Sequence, residues 1–394
     1  MESLKIALVD SYARFGGGHI ALGNLAYALS RMGHEVHMLL GVENIPERLL
    51  RLCSQRCYFH QLPGYSSLTH VMKIREKTRA YISRLNTTWG FDVIDAQGIS
   101  GLFVPSLLQN RLIVTLHGNN VERGLSLVKL TCKSSEMCMA IPKAPRSFAQ
   151  NVIGHFLYGE IEEKACASAK YVVTLTPSEA YYAMKHYSIP REKIRIIPNA
   201  FPDPRKNDPQ ITNLILPEEK KIILSVGALD FIKGTPILAR AMKYVLESAK
   251  DVAYVSVGNG PLLSYVLGLR AEFPGRVIIL PSVSEGLPSL YDRSFAFIQA
   301  SLYEAFSLSM GEAMQASKPI IAFRLASIPD LVVDNFTGCL AKPVSARDLA
   351  SKTMNLITDE EKARAMGDNA RETVKELYSA EAVGVVMEGL LKEV

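Results

Sequence analysis

The chain has 394 residues, 48% hydrophobic and 21% charged, which is long for one core and natural for two. Its net charge of +5 is uneven: residues 1–200 carry 23 Lys+Arg against 15 Asp+Glu (+8), leaving 21 against 24 (−3) for the remainder. No apolar run reaches the ~18 residues a membrane span needs, and Ile6–Val9 is too short for a secretory leader. A cytoplasmic globular protein is therefore expected, with an anionic surface or substrate as a partner of its basic first half.

Lys5–Val9 reads as a first strand, Ile20–Met32 as a helix ended by Gly33, and Glu35–Leu40 as a second strand. Val93-Ile94, Leu112–Leu116, Tyr171–Leu175 and Ile194–Ile197 continue the pattern up to Pro198-Asn199. A Pro-, Asp- and Asn-rich stretch, Phe201–Asn213, marks a linker or exposed loop. The pattern then restarts with strands Ile222–Val226, Ala253–Val257, Val277–Leu280, Phe295–Ile298 and Ile320–Phe323, and a helix Pro236–Ala249. Strand–helix alternation of this kind implies parallel sheets covered on both faces. The expected fold is α/β, with two doubly wound, Rossmann-like domains whose facing crevice lies at the carboxyl ends of the strands.

Several short stretches could carry chemistry. Glu304 and Glu312 flank a turn that runs into a helix, where a helix N-terminus favours an anion such as a diphosphate. Glu312, two helical turns on, could accept hydrogen bonds from sugar hydroxyls. Gly16-Gly17-Gly18 follows the first strand and lets a ligand approach the backbone. It lacks the G-x-G-x-x-G spacing of a dinucleotide site, and strand two ends in Leu39-Leu40 without an acid for a ribose. His117 ends a strand, where it faces the crevice. Lys233, just before a helix, can neutralise a diphosphate leaving group. Each has a plainer reading, as a solvated Glu pair, a flexible turn, a satisfied His and a surface lysine. No D-x-D pair, P-loop or nucleophile elbow is present, so no metal and no cofactor is expected. Six cysteines (Cys53, Cys57, Cys132, Cys138, Cys166, Cys339) fit no standard zinc spacing. Buried free thiols are expected, with a clip joining Cys53/Cys57 to Cys132/Cys138 as the alternative.

Taken in order, these stretches resemble the retaining GT-B glycosyltransferases of group 4. The match runs through Gly16-Gly17, Arg31–His37, His117, Thr176–Glu179, Ile197–Ala200, Val226–Leu229 with Lys233-Gly234, Gly258–Pro261, Leu287–Tyr291, the Glu304/Glu312 pair and Lys318-Pro319. The resemblance implies an N-terminal acceptor-binding domain (1–203), a nucleotide-sugar-binding domain (204–376), and a C-terminal helix (377–394) crossing back to the first. It implies that Glu312 holds the ribose, and that Glu304 with Ala305, Phe306, Ser307 and Leu308 contacts the donor sugar and diphosphate. Lys233 and Gly258 would complete the donor site, with Gly16 and Gly17 closing over the phosphates. His117, Lys233 and Glu304 would act on the transferred sugar, and His19, Asn119, Asn120 and Arg123 would meet the acceptor.

Three positions depart from the pattern. Ala228 stands where the family has Arg, which removes one diphosphate cation; Arg324, Arg14 and His19 are candidate replacements. Ser307 stands where Gly is usual and calls for a permissive backbone angle. Ala326-Ser327 replaces two glycines.

The implied reaction moves a sugar from a UDP- or GDP-type donor to an acceptor hydroxyl with retained configuration. The basic stretch Lys73–Arg79, with Val71, Met72, Ile74, Tyr81 and Ile82, suggests peripheral contact with an anionic membrane and a lipid-linked or glycan acceptor. No nucleic-acid partner is expected. The alternatives are a starch- or sucrose-type transferase with a soluble acceptor, a nucleotide-sugar epimerase, and a non-catalytic binding subunit that keeps the fold.

Overall fold

A computed structural model of the chain describes residues 3–45, 47–52, 56–203, 216–217, 219–281 and 286–394. The expected linker Phe201–Asn213 therefore lies largely outside the described residues, as does Cys53. Two compact units are formed: residues 1–122, 154–203 and 377–394 make the first, and 123–153 with 204–376 make the second.

The first unit holds a seven-stranded sheet of order β3-β2-β1-β4-β5-β6-β7. Its strands are β1 (Lys5–Asp10), β2 (Glu35–Leu40), β3 (Cys57–Gln61), β4 (Val93–Gln97), β5 (Leu112–Leu116), β6 (Tyr171–Thr174) and β7 (Ile194–Ile196). Every pairing is parallel, with Lys5 opposite Glu35 and Ile6 opposite Val93. β4 and β5 are buried along their whole length, as a sheet covered on both faces requires. The second unit holds a six-stranded parallel sheet of order β10-β9-β8-β11-β12-β13. These are β8 (Lys221–Val226), β9 (Val252–Val257), β10 (Val277–Leu280), β11 (Ala296–Gln299), β12 (Ile320–Phe323) and β13 (Gly338–Ala341). In both sheets the order reverses beside the first strand, the switch point where open α/β sheets bind ligands.

Two strands escaped the sequence pattern. β3 is an edge strand, Cys-Tyr-Phe-His-Gln, with no buried position, and β13 opens on a glycine. The helix Gly17–Arg31 begins earlier than the apolar periodicity indicated, because it opens on Gly17, Gly18 and His19, which carry no apolar side chain.

The C-terminal helix Ala380–Leu391 belongs to the first unit. Its Ser379 hydroxyl caps the helix by accepting from the Ala382 amide. Val383, Met387, Leu390 and Leu391 join Leu22, Ala26 and Leu29 in one core. Residues 123–153 pack elsewhere than their sequence position suggests: Leu127, Leu130, Met137 and Ala140 share a core with Phe231, Ile237 and Met242 of the second unit.

The helix Leu68–Trp89 carries the basic stretch. Val71, Ile74 and Ile82 point into the core of the first unit, and only Met72 of the large apolar residues named for that stretch is exposed. The apolar half of the expected membrane face is thus used internally. Among the described residues no helix is long and apolar enough to cross a membrane. Cys166 and Cys339 are buried free thiols, whereas Cys132 and Cys138 are free and exposed and Cys57 is half-buried.

Candidate active site

In the second unit the chemistry gathers at the carboxyl ends of β8, β9 and β11. β8 ends in Val226 and runs on through Gly227, Ala228, Leu229 and Asp230 to Lys233. The Asp230 carboxylate accepts from the Lys233 amide at 2.9 Å and so fixes the turn. Gly234 then takes a left-handed conformation (φ 61°) to start the helix Thr235–Ser248. A Cβ there would lie 2.0 Å from the Ala300 carbonyl oxygen, so only glycine lets this turn approach the end of β11. Gly258, just after β9, has φ 138°, and a Cβ on it would lie 1.9 Å from the Gly227 carbonyl oxygen.

This approach brings the Lys233 ammonium to 2.5 Å from Glu304 Oε1. The same oxygen accepts from the Ser301 hydroxyl at 2.7 Å and from the Gln299 amide. Glu304 is 9% exposed, so its charge is held by three donors in a largely water-free setting. Burial pushes the Asp230 carboxyl up, opposed by the Lys233 amide and the nearby charges of Lys233 and Arg123.

Ala305 and Phe306 are buried in the same loop. Ser307 is the N-cap of the helix Leu308–Gln315, and its hydroxyl accepts from the Met310 amide at 3.4 Å. Its backbone is extended (φ −78°, ψ 108°), so the loop needs no glycine at this position and the serine is unstrained. Leu308 and Glu312 are half-buried on the same helix, and the Tyr291 hydroxyl donates to Glu312 Oε2 at 3.1 Å. The other departure is strained: Ala326 sits at φ 47°, the left-handed region that glycine favours. The next amide, Ser327, donates to the Glu304 carbonyl at 3.3 Å, which ties this turn to the back of the Glu304 loop.

In the first unit Gly16 caps the helix Gly17–Arg31, and both Gly16 and Gly17 are exposed. A Cβ on Gly18 would lie 3.9 Å from both Asp10 Oδ2 and His117 Cδ2, so the loop passes over both side chains. His19 is buried, with Nε2 3.5 Å from Asp10 Oδ2 and its ring stacked on Phe15. His117 Nε2 lies 2.6 Å from Gln97 Oε1 at the end of β4. Burial raises the Asp10 carboxyl, while His19 and the Tyr12 amide lower it.

The expected acceptor set divides. His19 stands in the Asp10–His117 cluster. Asn119 is fully buried; its amide donates to Glu179 and its side-chain oxygen caps the following helix at the Glu122 amide. The Asn120 side-chain amide donates to Glu162 at 3.0 Å, and its backbone amide donates to the Tyr187 hydroxyl at 3.1 Å. Both asparagines brace the first unit, while Arg123 packs with the second. Sequence reasoning missed Asp10, Gln97, Gln299 and Ser301. The first three are the last residues of β1, β4 and β11, a position that itself marks crevice-facing side chains.

Two parallel α/β units of this build define the GT-B glycosyltransferase architecture. The family model described as glycosyltransferase family 4 matches residues 15–203, and the one described as glycosyl transferases group 1 matches residues 206–373. The chain belongs to the family 4 glycosyltransferases. It is 22% identical to N-acetyl-alpha-D-glucosaminyl L-malate synthase of Bacillus anthracis, over 96% of this chain and 94% of that protein. Over a shorter stretch, it is 26% identical to alpha-D-kanosaminyltransferase of Streptomyces kanamyceticus, over 45% of this chain and 47% of that one. Among solved structures, sucrose-phosphate synthase from Thermosynechococcus elongatus superposes with a TM-score of 0.75 at 22% identity, covering 99% of this chain and 98% of that one. Anabaena Alr3699/HepE in complex with UDP and glucose gives 0.74 at 16% identity, covering 99% and 100%.

Proposed function

We propose that this glycosyltransferase moves a sugar from a nucleoside-diphosphate sugar, of UDP or GDP type, to an acceptor hydroxyl with retention at the anomeric carbon. The observation that carries the reading is the Lys233–Glu304 pair, held by Gln299 and Ser301 at the carboxyl ends of the second sheet. Lys233 supplies a cation for the leaving diphosphate, where charge develops in an oxocarbenium-like transition state. Glu304, already accepting three donors, suits fixing sugar hydroxyls better than attacking carbon. Retention then follows from attack on the face the diphosphate leaves, with the leaving phosphate taking the acceptor's proton. Glu312, oriented by Tyr291, suits a ribose, and the fold relative with bound UDP and glucose favours uridine. His117, oriented by Gln97, suits the transferred sugar. The residues assigned to donor and leaving group need no metal.

The acceptor is proposed to be a glycan or lipid-linked sugar. The exposed cations of the helix Leu68–Trp89 support an electrostatic, salt-sensitive contact with an anionic surface, without apolar insertion.

A thermal-shift screen with UDP, GDP and ADP and their sugars tests the donor reading, run with EDTA and with added divalent metal. Stabilisation by one base, unchanged by EDTA, is the expected result. Anomeric NMR of the sugar released from that donor should show retained configuration. Glu304→Gln should lose about two decades or more in turnover. Equal turnover in wild type and Glu304→Gln, or no stabilisation by any nucleotide, refutes the reading and favours a non-catalytic subunit. Co-sedimentation with vesicles with and without anionic lipid tests the membrane contact, and no binding to either refutes it.

A further inference from the structure

Resting on the donor reading above, we infer that Arg123 supplies the second diphosphate cation of this enzyme, in place of the one Ala228 lacks. Ala228 is exposed, and the donor turn between β8 and the helix Thr235–Ser248 carries one basic side chain, Lys233. Of the other candidates, Arg324 is paired with Asp334. Arg14 and His19 belong to the first unit, and His19 faces Asp10.

Arg123 comes from a distant part of the sequence but is built into the second unit. Leu127 and Leu130 of its helix are buried in the core that contains Leu229 and Phe231, the residues on either side of Asp230. Its guanidinium lies over the Tyr303 ring, 5.3 Å from the centroid, and Tyr303 directly precedes Glu304. Tyr303 is itself 2% exposed, so the platform under the guanidinium is rigid. Arg123 also acts on the Asp230 carboxylate, which anchors the Lys233 turn. Among the described residues its guanidinium forms no ion pair with a carboxylate. A half-buried guanidinium stacked on a fixed aromatic ring, with its N–H edge uncommitted, matches a bidentate phosphate ligand. Arg123 is therefore a donor-binding residue and not an acceptor-binding one.

Calorimetric titration of UDP, GDP and ADP, each alongside its monophosphate, tests this in wild type, Arg123→Gln, Arg123→Lys and Arg123→Gln/Ala228→Arg. Losing a charged contact to phosphate corresponds to about a ten- to hundredfold loss of affinity. Arg123→Gln should show that loss for the diphosphate that wild type binds, with monophosphate affinity within about twofold. Arg123→Lys, which keeps the charge without the planar fork, should fall between. The double variant should regain about tenfold, because Ala228 is exposed and an arginine there can reach the same turn. Unchanged diphosphate binding in Arg123→Gln overturns the inference and returns Arg123 to the acceptor. Equal losses for mono- and diphosphate overturn it in favour of a packing role. Wild type binding none of the nucleotides overturns the donor reading itself.

Discussion

Asp95 offers the sharpest physical test of the first unit. It lies in the middle of β4, fully buried, between Leu8 of β1 and Ile113 of β5. Burial raises its carboxyl from 3.8 to about 6, against the hydrogen bond from Thr115 at 2.7 Å and the nearby Gln97 side chain. The folded state therefore holds a proton that the unfolded chain has released, in the window between pH 4 and 6. Stability must fall as pH rises through that window, because the native state binds more protons there. The full difference, about 2 in pKa at 1.36 kcal/mol each, amounts to roughly 3 kcal/mol. Asp95→Asn keeps an oxygen for Thr115 and removes the titration. Whatever its effect at one pH, the stability of Asp95→Asn relative to wild type should become more favourable by about 2 kcal/mol between pH 4.5 and pH 8. Urea unfolding followed by tryptophan fluorescence measures this in the right unit, since the chain has one tryptophan, Trp89, and it packs on the first unit's core. A difference between the two proteins that stays constant to within about 0.5 kcal/mol across that range would refute the reasoning.

Ala326 and Gly258 test the donor side. Ala326→Gly relieves a left-handed alanine worth about 1–2 kcal/mol, less the added freedom of the unfolded chain, so a net gain of about 0.5–1 kcal/mol is expected. Differential scanning calorimetry should show a small rise in melting temperature, and a fall would show that the turn is not strained. Gly258→Ala forces a Cβ into the Gly227 carbonyl at 1.9 Å, with φ at 138°. A loss of about 3 kcal/mol or more is expected, together with weakened nucleotide binding, because the same glycine lets β8 and β9 end side by side. Wild-type melting and binding in Gly258→Ala would contradict that geometry.

Periodicity carried most of the fold. Eleven strands were legible because parallel strands buried on both faces read as short apolar runs, while β3 and β13 were not, one half-exposed and the other begun by glycine. The Glu304 loop was legible by resemblance, but its state was not. Ser307 in place of glycine suggested an unusual backbone, yet the residue is an ordinary helix cap. The strain lies at Ala326 instead, and no local propensity distinguishes the two positions. The apolar side of the basic helix Leu68–Trp89 was open for a related reason: charge and apolar residues at helical spacing describe an amphipathic face without saying whether the apolar half packs on a membrane or on the protein's own core. Here Val71, Ile74 and Ile82 are claimed by the core.

Arg123 marks the limit of reading by position. In sequence it follows His117, Asn119 and Asn120, so it inherits their expected role. The two asparagines are committed to Glu162, Glu179 and Tyr187, which holds this end of the helix in the first unit. From the next turn of the same helix, Leu127 and Leu130 are apolar on the side that packs around Phe231, and the chain passes into the second core. One helix, Asn120–Thr131, thus begins in one unit and finishes in the other. On the inference drawn above, Ala228 and an arginine on that helix would be parts of one site, although sequence order assigns them to different substrates. The chemistry at each position follows from which core the neighbouring apolar residues join: one boundary between the units falls inside this helix, at 122/123, while another, at 203/204, falls in the expected linker.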